Sequence, residues 1–240
     1  MKIFSTIKKK SWILRSLPYT IWFNFKTLPF KQAIKLPIVF YKPRFFKTSG
    51  KIIIEGDVRR CMIRLGNNGV SIYPNSGIAF DNKGTIIFKG KALIGNDSAI
   101  SVGENGILTI GSDLISTCSL KLVCYNRVDI ADRVTLGWNT FICDTDFHIA
   151  TYSDGRQPQG YGPITIGHDT WIANNCKLYK NVSIPPCCVV GADTILMKSP
   201  DCGENSLICN ERSTIVKVRG IKYVRENDHI IYSKQQPHEA

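Results

Sequence analysis

Residues 143–163 read CDTDFHIATYSDGRQPQGYGP, a polar, glycine-rich stretch in which His148 follows two carboxylates, Asp144 and Asp146. That trio is equipped to move a proton. A hydroxyl group is a poor nucleophile until a base takes its proton, and neutral imidazole is the side chain whose pKa lies nearest physiological pH. A carboxylate on the other ring nitrogen would orient the imidazole, and Asp146 is preferred over Asp144 because neighbours in an extended chain point to opposite faces. The plain alternative for His148 is a solvated loop histidine. Of the other histidines, His168 follows a glycine at a corner, while His229 and His238 fall in a polar tail.

What must hold that loop is written on both sides of it. From Ile164 to Met197 a large aliphatic returns every six residues: Ile166, Ile172, Leu178, Ile184, Val190 and Leu196. Two places earlier runs a small or β-branched series, Ile164, Thr170, Cys176, Val182, Cys188 and Thr194. A period of six fits neither an amphipathic helix nor a half-buried strand. It fits a solenoid in which each unit makes one short strand and one turn, three units closing a triangular coil. Gly167, Ala173, Pro185 and Gly191, each just after the large aliphatic, are read as the corner residues.

Upstream the step persists through Phe88, Ile94 and Ile100, slips by four residues before Ile110, Ser116 and Leu122, and slips by two within CYNRVDI before Ile130, Leu136 and Ile142. Such slips are what loops projecting from single turns produce. The long interruption after Ile142 is the 143–163 loop, and a long excursion from a rigid scaffold is where function tends to sit. At eighteen residues per coil, on the order of seven or eight coils are expected, stacked about 4.8 Å apart. The sequence therefore divides into an extension over 1–50, a coiled body over 51–200 and a C-terminal coil and tail over 201–240.

The chain of 240 residues carries a net charge of +12. Residues 1–50 hold eleven Lys or Arg and no Asp or Glu, so the remainder has 20 basic against 19 acidic residues, a net of +1. In the extension, cations alternate with Trp12, Leu17, Ile21, Trp22, Phe23, Phe25 and Phe30, and Pro18, Pro29 and Pro37 break it into short pieces. No apolar run approaches the roughly 18–20 residues of a membrane span. Two readings stand together: a cap over the open end of the solenoid, and a segment that meets anionic lipid at a membrane surface. Nucleic acid is not expected, because the lysines are interleaved with bulky apolar residues and no nucleic-acid motif follows. Nine cysteines without any C-x-x-C pair argue against a metal or disulfide framework and for a reduced, cytoplasmic protein.

The string IGHDTWIANN…VSIPPCCVVGADTILMK resembles the hexapeptide-repeat acyltransferases, and within them the O-acetyltransferases that act on sugars, including those that decorate bacterial surface polysaccharide. Ser16 to Phe30 resembles the leader region of some polysaccharide-locus acetyltransferases. The resemblance implies an all-β fold, a left-handed parallel β-helix, with acetyl-CoA as donor, a homotrimeric assembly with sites between subunits, and His148 as the catalytic base. Left-handedness is implied by the resemblance alone, since ordinary parallel crossovers are right-handed.

Carried across by motif, the donor segment W-I-G-x stands here as Trp171-Ile172-Ala173-Asn174, G-A-G as Gly191-Ala192-Asp193, and T-K as Met197-Lys198. Trp171, Ala173, Asn174, Ala192 and Lys198 are thus the expected donor contacts, with packing between subunits as the alternative for Trp171. Ala173, Asp193 and Met197 depart from the pattern, as does Asn210-Glu211-Arg212-Ser213-Thr214 where the family has G-x-P-A-[KR], leaving Arg212, Lys217 and Arg219 as candidates for the nucleotide phosphates. On the acceptor side Ser119 and Cys124 or Tyr125 occupy the places where sugar-acetylating relatives have Asn and Asp. Asn126, Trp138 and Asn139 are the expected acceptor contacts. A γ-type carbonic anhydrase is excluded, because its three zinc-binding histidines are not present in the body. The alternatives are another acceptor (nucleotide amino sugar, serine or xenobiotic) and a non-catalytic scaffold.

Overall fold

The computed structural model describes residues 16–67, 69–148, 151, 156–210 and 214–219. Residues 16–27 form a helix, α1, followed by one turn, α2 (Phe30–Ala33). The chain then winds through β1 (Ile38–Phe40), β2 (Pro43–Thr48), β3 (Lys51–Ile54), β4 (Ile63–Asn67), β5 (Ile78–Asn82), β6 (Thr85–Phe88), β7 (Ala92–Gly95), β8 (Ser98–Val102) and β9 (Ile107–Ile110). It continues through β10 (Leu114–Ser116), β11 (Lys121–Cys124), β12 (Arg127–Ile130), β13 (Thr135–Leu136), β14 (Phe141–Cys143), β15 (Ile164–Ile166), β16 (Trp171–Ile172), β17 (Lys177–Tyr179) and β18 (Ser183–Ile184). Last come β19 (Val189–Val190), β20 (Ile195–Leu196), β21 (Ser206–Asn210) and β22 (Thr214–Arg219).

From β1 to β20 every third strand pairs in parallel, after which β21 stacks in parallel on β19 and β22 runs antiparallel beside β21. The first sheet stacks β1-β4-β7-β10-β13-β16-β19-β21, the second β2-β5-β8-β11-β14-β17-β20, and the third β3-β6-β9-β12-β15-β18. The fold is the all-β, three-sided parallel β-helix that the six-residue step demands. Register follows the repeat, Ile142 lying on Leu178 and Ile130 on Ile166. All twelve residues of the two series between Ile164 and Leu196 are at most 2% exposed, so the two series are the inward-facing positions. A coil has no core without its neighbours, and each closes the apolar end of the one beneath.

Two expectations need correction. The coils begin at Ile38, inside the extension, rather than at residue 51. Eight parallel strands stack in the first sheet, seven in the second and six in the third, in keeping with the seven or eight coils expected. The left-handed backbone at the corners falls three residues after the large aliphatic, not one: Asp169, Asn175, Asn181, Cys187 and Asp193 have φ of 56–64°. Asn and Asp tolerate that conformation best among residues with a side chain. Gly167 has another role, since a Cβ there would stand 2.4 Å from the Pro186 nitrogen of the next coil.

Candidate functional site

All three slips in the repeat fall on one corner, where the second sheet passes to the third. These are residues 103–106 between β8 and β9, 125–126 between β11 and β12, and 144–163 between β14 and β15. They stack coil on coil. A Cβ on Gly103 would lie 2.6 Å from the Tyr125 ring, and that ring meets Phe147 edge-on at 5.0 Å. The long loop thus leaves from a corner already built outward by the two coils beneath it.

A buried carboxylate anchors it. Asp144 is fully buried and accepts the backbone N–H of Tyr125 at 2.7 Å and of Asn126 at 2.8 Å, closing the turn one coil below. The loop's two ends then run antiparallel: Thr145 bridges Tyr161, the Asp146 amide donates to the Gly160 carbonyl at 2.7 Å, and the Gly162 amide donates to the Asp144 carbonyl at 3.0 Å. His148 stands two residues beyond this stem, exposed to solvent. The carboxylate of Asp146 receives the Lys180 ammonium, which also donates to the Gln159 carbonyl at 3.1 Å. Among the described residues no hydrogen bond joins Asp146 or Asp144 to the His148 ring. Both carboxylates are engaged elsewhere, Asp144 by amides and Asp146 by a cation.

The expected site residues divide between two corners. Asn126, Asp146, His148 and Lys198 share the loop corner, with Lys180 between the last two levels by the register of β17 on β20. Trp138, Asn139, Ala173, Asn174 and Ala192 lie on the corner between the first and second sheets, with Trp171 beside them at the start of β16. There Asn139 donates to Asn175 at 2.7 Å and Asn175 to Asp193, a ladder of side chains up three coils that accounts for Asn139 and for Asp193 in place of glycine. Trp138 lies 6.4 Å from the ring of Tyr73, which stands between β4 and β5. Trp171 is 39% exposed and Ala173 is buried. In one chain the second sheet separates the two groups. Arg212 lies outside the described residues.

Sequence reasoning missed Lys180 and the Tyr125–Phe147 contact. The signal for Lys180 was present, since it precedes Lys198 by eighteen residues, one full coil. His168 stands on the third corner, its Nδ1 2.8 Å from Asp169. Arg133 grips the same carboxylate through two N–H groups at 2.7 and 2.5 Å and holds its pKa well below the usual range, to about 2. His168, Asp169 and Cys187 bring ligand atoms within 4.8 Å of one another, but Asp169 is already neutralised by Arg133. A groove of about 470 Å³ on the outer face of the third sheet is lined by Lys89, Arg127, Asp129, Arg133 and His168. All nine cysteines are free thiols, and burial pushes Cys118, Cys176 and Cys188 up to about 11 and Cys124 higher still.

No protein-family model matches the chain. A Mycobacterium tuberculosis protein named as a probable acetyltransferase is 25% identical over 198 residues, which is 80% of this chain and 57% of the relative. The chain therefore spans little more than half the length of that relative. Among solved structures, the polySia specific acetyltransferase NeuO superposes with a TM-score of 0.48 at 12% identity, covering 79% of this chain and 92% of that one. A variant of AntD, an N-acyltransferase from Bacillus cereus, in complex with dTDP and coenzyme A, superposes with a TM-score of 0.38 at 15% identity, covering 79% and 82%. The chain is a three-sided parallel β-helix that resembles the hexapeptide-repeat acyltransferases and is similar in sequence to a protein named as an acetyltransferase.

Proposed function

We propose that the protein is an O-acetyltransferase that moves the acetyl group of acetyl-CoA to a sugar hydroxyl of bacterial surface polysaccharide, on the cytoplasmic side of the membrane. One observation carries this reading: the chain holds a long polar loop by a buried carboxylate and a paired stem, and sets an exposed imidazole just past that stem. In the reaction the neutral His148 ring takes the hydroxyl proton while the sugar oxygen attacks the thioester carbonyl. A backbone N–H stabilises the oxyanion. The tetrahedral adduct collapses, the carbon–sulfur bond breaks, and the CoA thiolate takes the proton back from the imidazolium. No enzyme-bound acyl group is required, so no cysteine is consumed.

The division of residues between two corners favours a site shared by subunits. In a closed trimer the loop corner of one copy, with His148, Asn126 and Lys198, would face the corner of the next, with Trp171, Ala173, Asn174 and Ala192 along the donor and Trp138 and Asn139 toward the sugar. Lys198 would meet a CoA phosphate.

Thiol release from acetyl-CoA by wild type and His148→Ala, against glycan oligosaccharides and nucleotide sugars, tests this. Turnover should fall about 10²–10⁴-fold in the variant with donor binding retained, as loss of a general base requires. An equally active variant overturns the assignment of the base. Wild type that does not bind acetyl-CoA overturns the reading as an enzyme.

A further inference from the structure

Helix α1 is turned inside out compared with an ordinary surface helix, which hides its apolar stripe and shows its polar one. Its buried residues are Ser16, Thr20, Phe23 and Asn24, three of them polar. Asn24 stands where a preceding strand would be. Its Oδ1 accepts the Ile38 N–H at 3.1 Å and its Nδ2 donates to the Ile38 carbonyl at 2.7 Å, while Thr20 Oγ1 accepts the Phe40 N–H at 3.4 Å. The polar face is thus spent on the open edge of β1, which would otherwise present unpaired backbone groups. Capping explains that face alone.

The opposite face is apolar, and among the described residues its side chains are exposed. Ile21, Trp22 and Phe25 are 42–47% exposed, and Phe30, Ile34 and Phe46 extend the patch at 55–71%. Cations are interleaved with these rings. Lys26 lies 4.9 Å from the Trp22 ring centre, Arg44 lies 4.9 Å from that of Phe46, and Lys31, Lys35 and Lys47 are exposed nearby. Residues 1–50 contain no acidic side chain, whereas the rest of the chain is almost neutral. A protein partner is disfavoured, because protein interfaces are depleted in lysine at their centres. Among the described residues no helix is long and apolar enough to cross a membrane.

We infer that the outer face of this cap docks on the surface of a bilayer rich in anionic lipid, with the exposed rings and aliphatics at the headgroup boundary and the cations on the lipid charges. The cap is five coil spacings below the His148 coil, roughly 24 Å at the usual strand separation. On the proposed function, which this clause rests on, the acceptor is therefore a glycan that extends away from its lipid.

The test is co-sedimentation of the full chain with phosphatidylcholine vesicles, with and without phosphatidylglycerol. Binding should require the anionic lipid and weaken with salt. Lys31→Gln and Lys35→Gln should each lower partitioning about fivefold, and Ile21→Ser with Phe25→Ser and Phe30→Ser should abolish it with melting unchanged. Asn24→Ala, on the buried face, should lower the melting temperature yet leave vesicle binding of the folded protein intact. Wild type that stays in the supernatant with anionic vesicles overturns the proposal. So does a triple variant that keeps its vesicle binding but loses self-association in the ultracentrifuge, which would assign the face to a second copy. The lysine variants stay informative if the triple variant does not fold, and in these folded variants acetyl transfer to a soluble glycan should equal that of wild type, which separates loss of docking from loss of the proposed activity.

Discussion

Asp144 opens the loop that carries His148, and its carboxylate holds the N–H of Asn126 in the coil beneath at 2.8 Å. A single buried side chain thereby ties the expected base to an expected acceptor contact. Removing it strands two amides in a buried corner and frees the loop root. Asp144→Ala should cost about 2–4 kcal/mol of stability, because hydrogen bonds to a charged group are the stronger kind and their loss leaves donors unsatisfied. Chemical denaturation checks the loss, and unchanged stability would sink the anchoring role.

Asp146 and Lys180 give the opposite pattern. Their ion pair is half-exposed, 47% for the carboxylate side chain, and such pairs contribute about 0–1 kcal/mol. Asp146→Asn and Lys180→Met should therefore leave melting nearly unchanged. If Asp146 orients His148 during turnover, Asp146→Asn lowers kcat without raising the KM for acetyl-CoA, and Lys180→Met, which releases the carboxylate toward the ring, does not. Equal losses in both variants would mean that the pair matters only as a pair.

The buried thiols predict an alkaline weakness. Burial raises Cys118, Cys176 and Cys188 to about 11 from an ordinary 9.0, so the folded state holds protons that the unfolded chain releases. Their contribution is complete below pH 9 and is lost as pH climbs through about 11. Stability measured across that window should fall. At pH 8 alkylation should reach Cys61, Cys187, Cys202 and Cys209 before the five buried thiols, with activity preserved.

Asp169 behaves in the contrary sense. The Arg133 hydrogen bonds depress its carboxyl to about 2, so its contribution is present above the ordinary 3.8 and disappears as pH falls through about 2. Arg133→Met should return the titration midpoint, followed by carboxyl ¹³C shifts, toward the usual carboxylate range. A midpoint that does not move would show that Arg133 is not the cause.

The sequence alone determined the inward face of this molecule. Ile166 to Leu196 and their partners two places back are buried as the six-residue step requires, because three sides of two inward residues each leave no other arrangement that hides them. Asp169, Asn175, Asn181 and Asp193 are the residue types that suit left-handed corners, and they recur three residues after each large aliphatic. The loop around His148 was readable as an interruption of the period. Its surroundings were not. Trp138 and His148 are ten residues apart in the chain yet stand on different corners, while Lys180, thirty-two residues on, reaches the loop's own carboxylate. Only the tertiary structure decided this, because in a solenoid a side is turned every six residues and spatial neighbours lie one coil apart. The inner face of α1 was likewise hidden, since burying Asn24 in preference to Trp22 makes sense only beside the unpaired edge of β1.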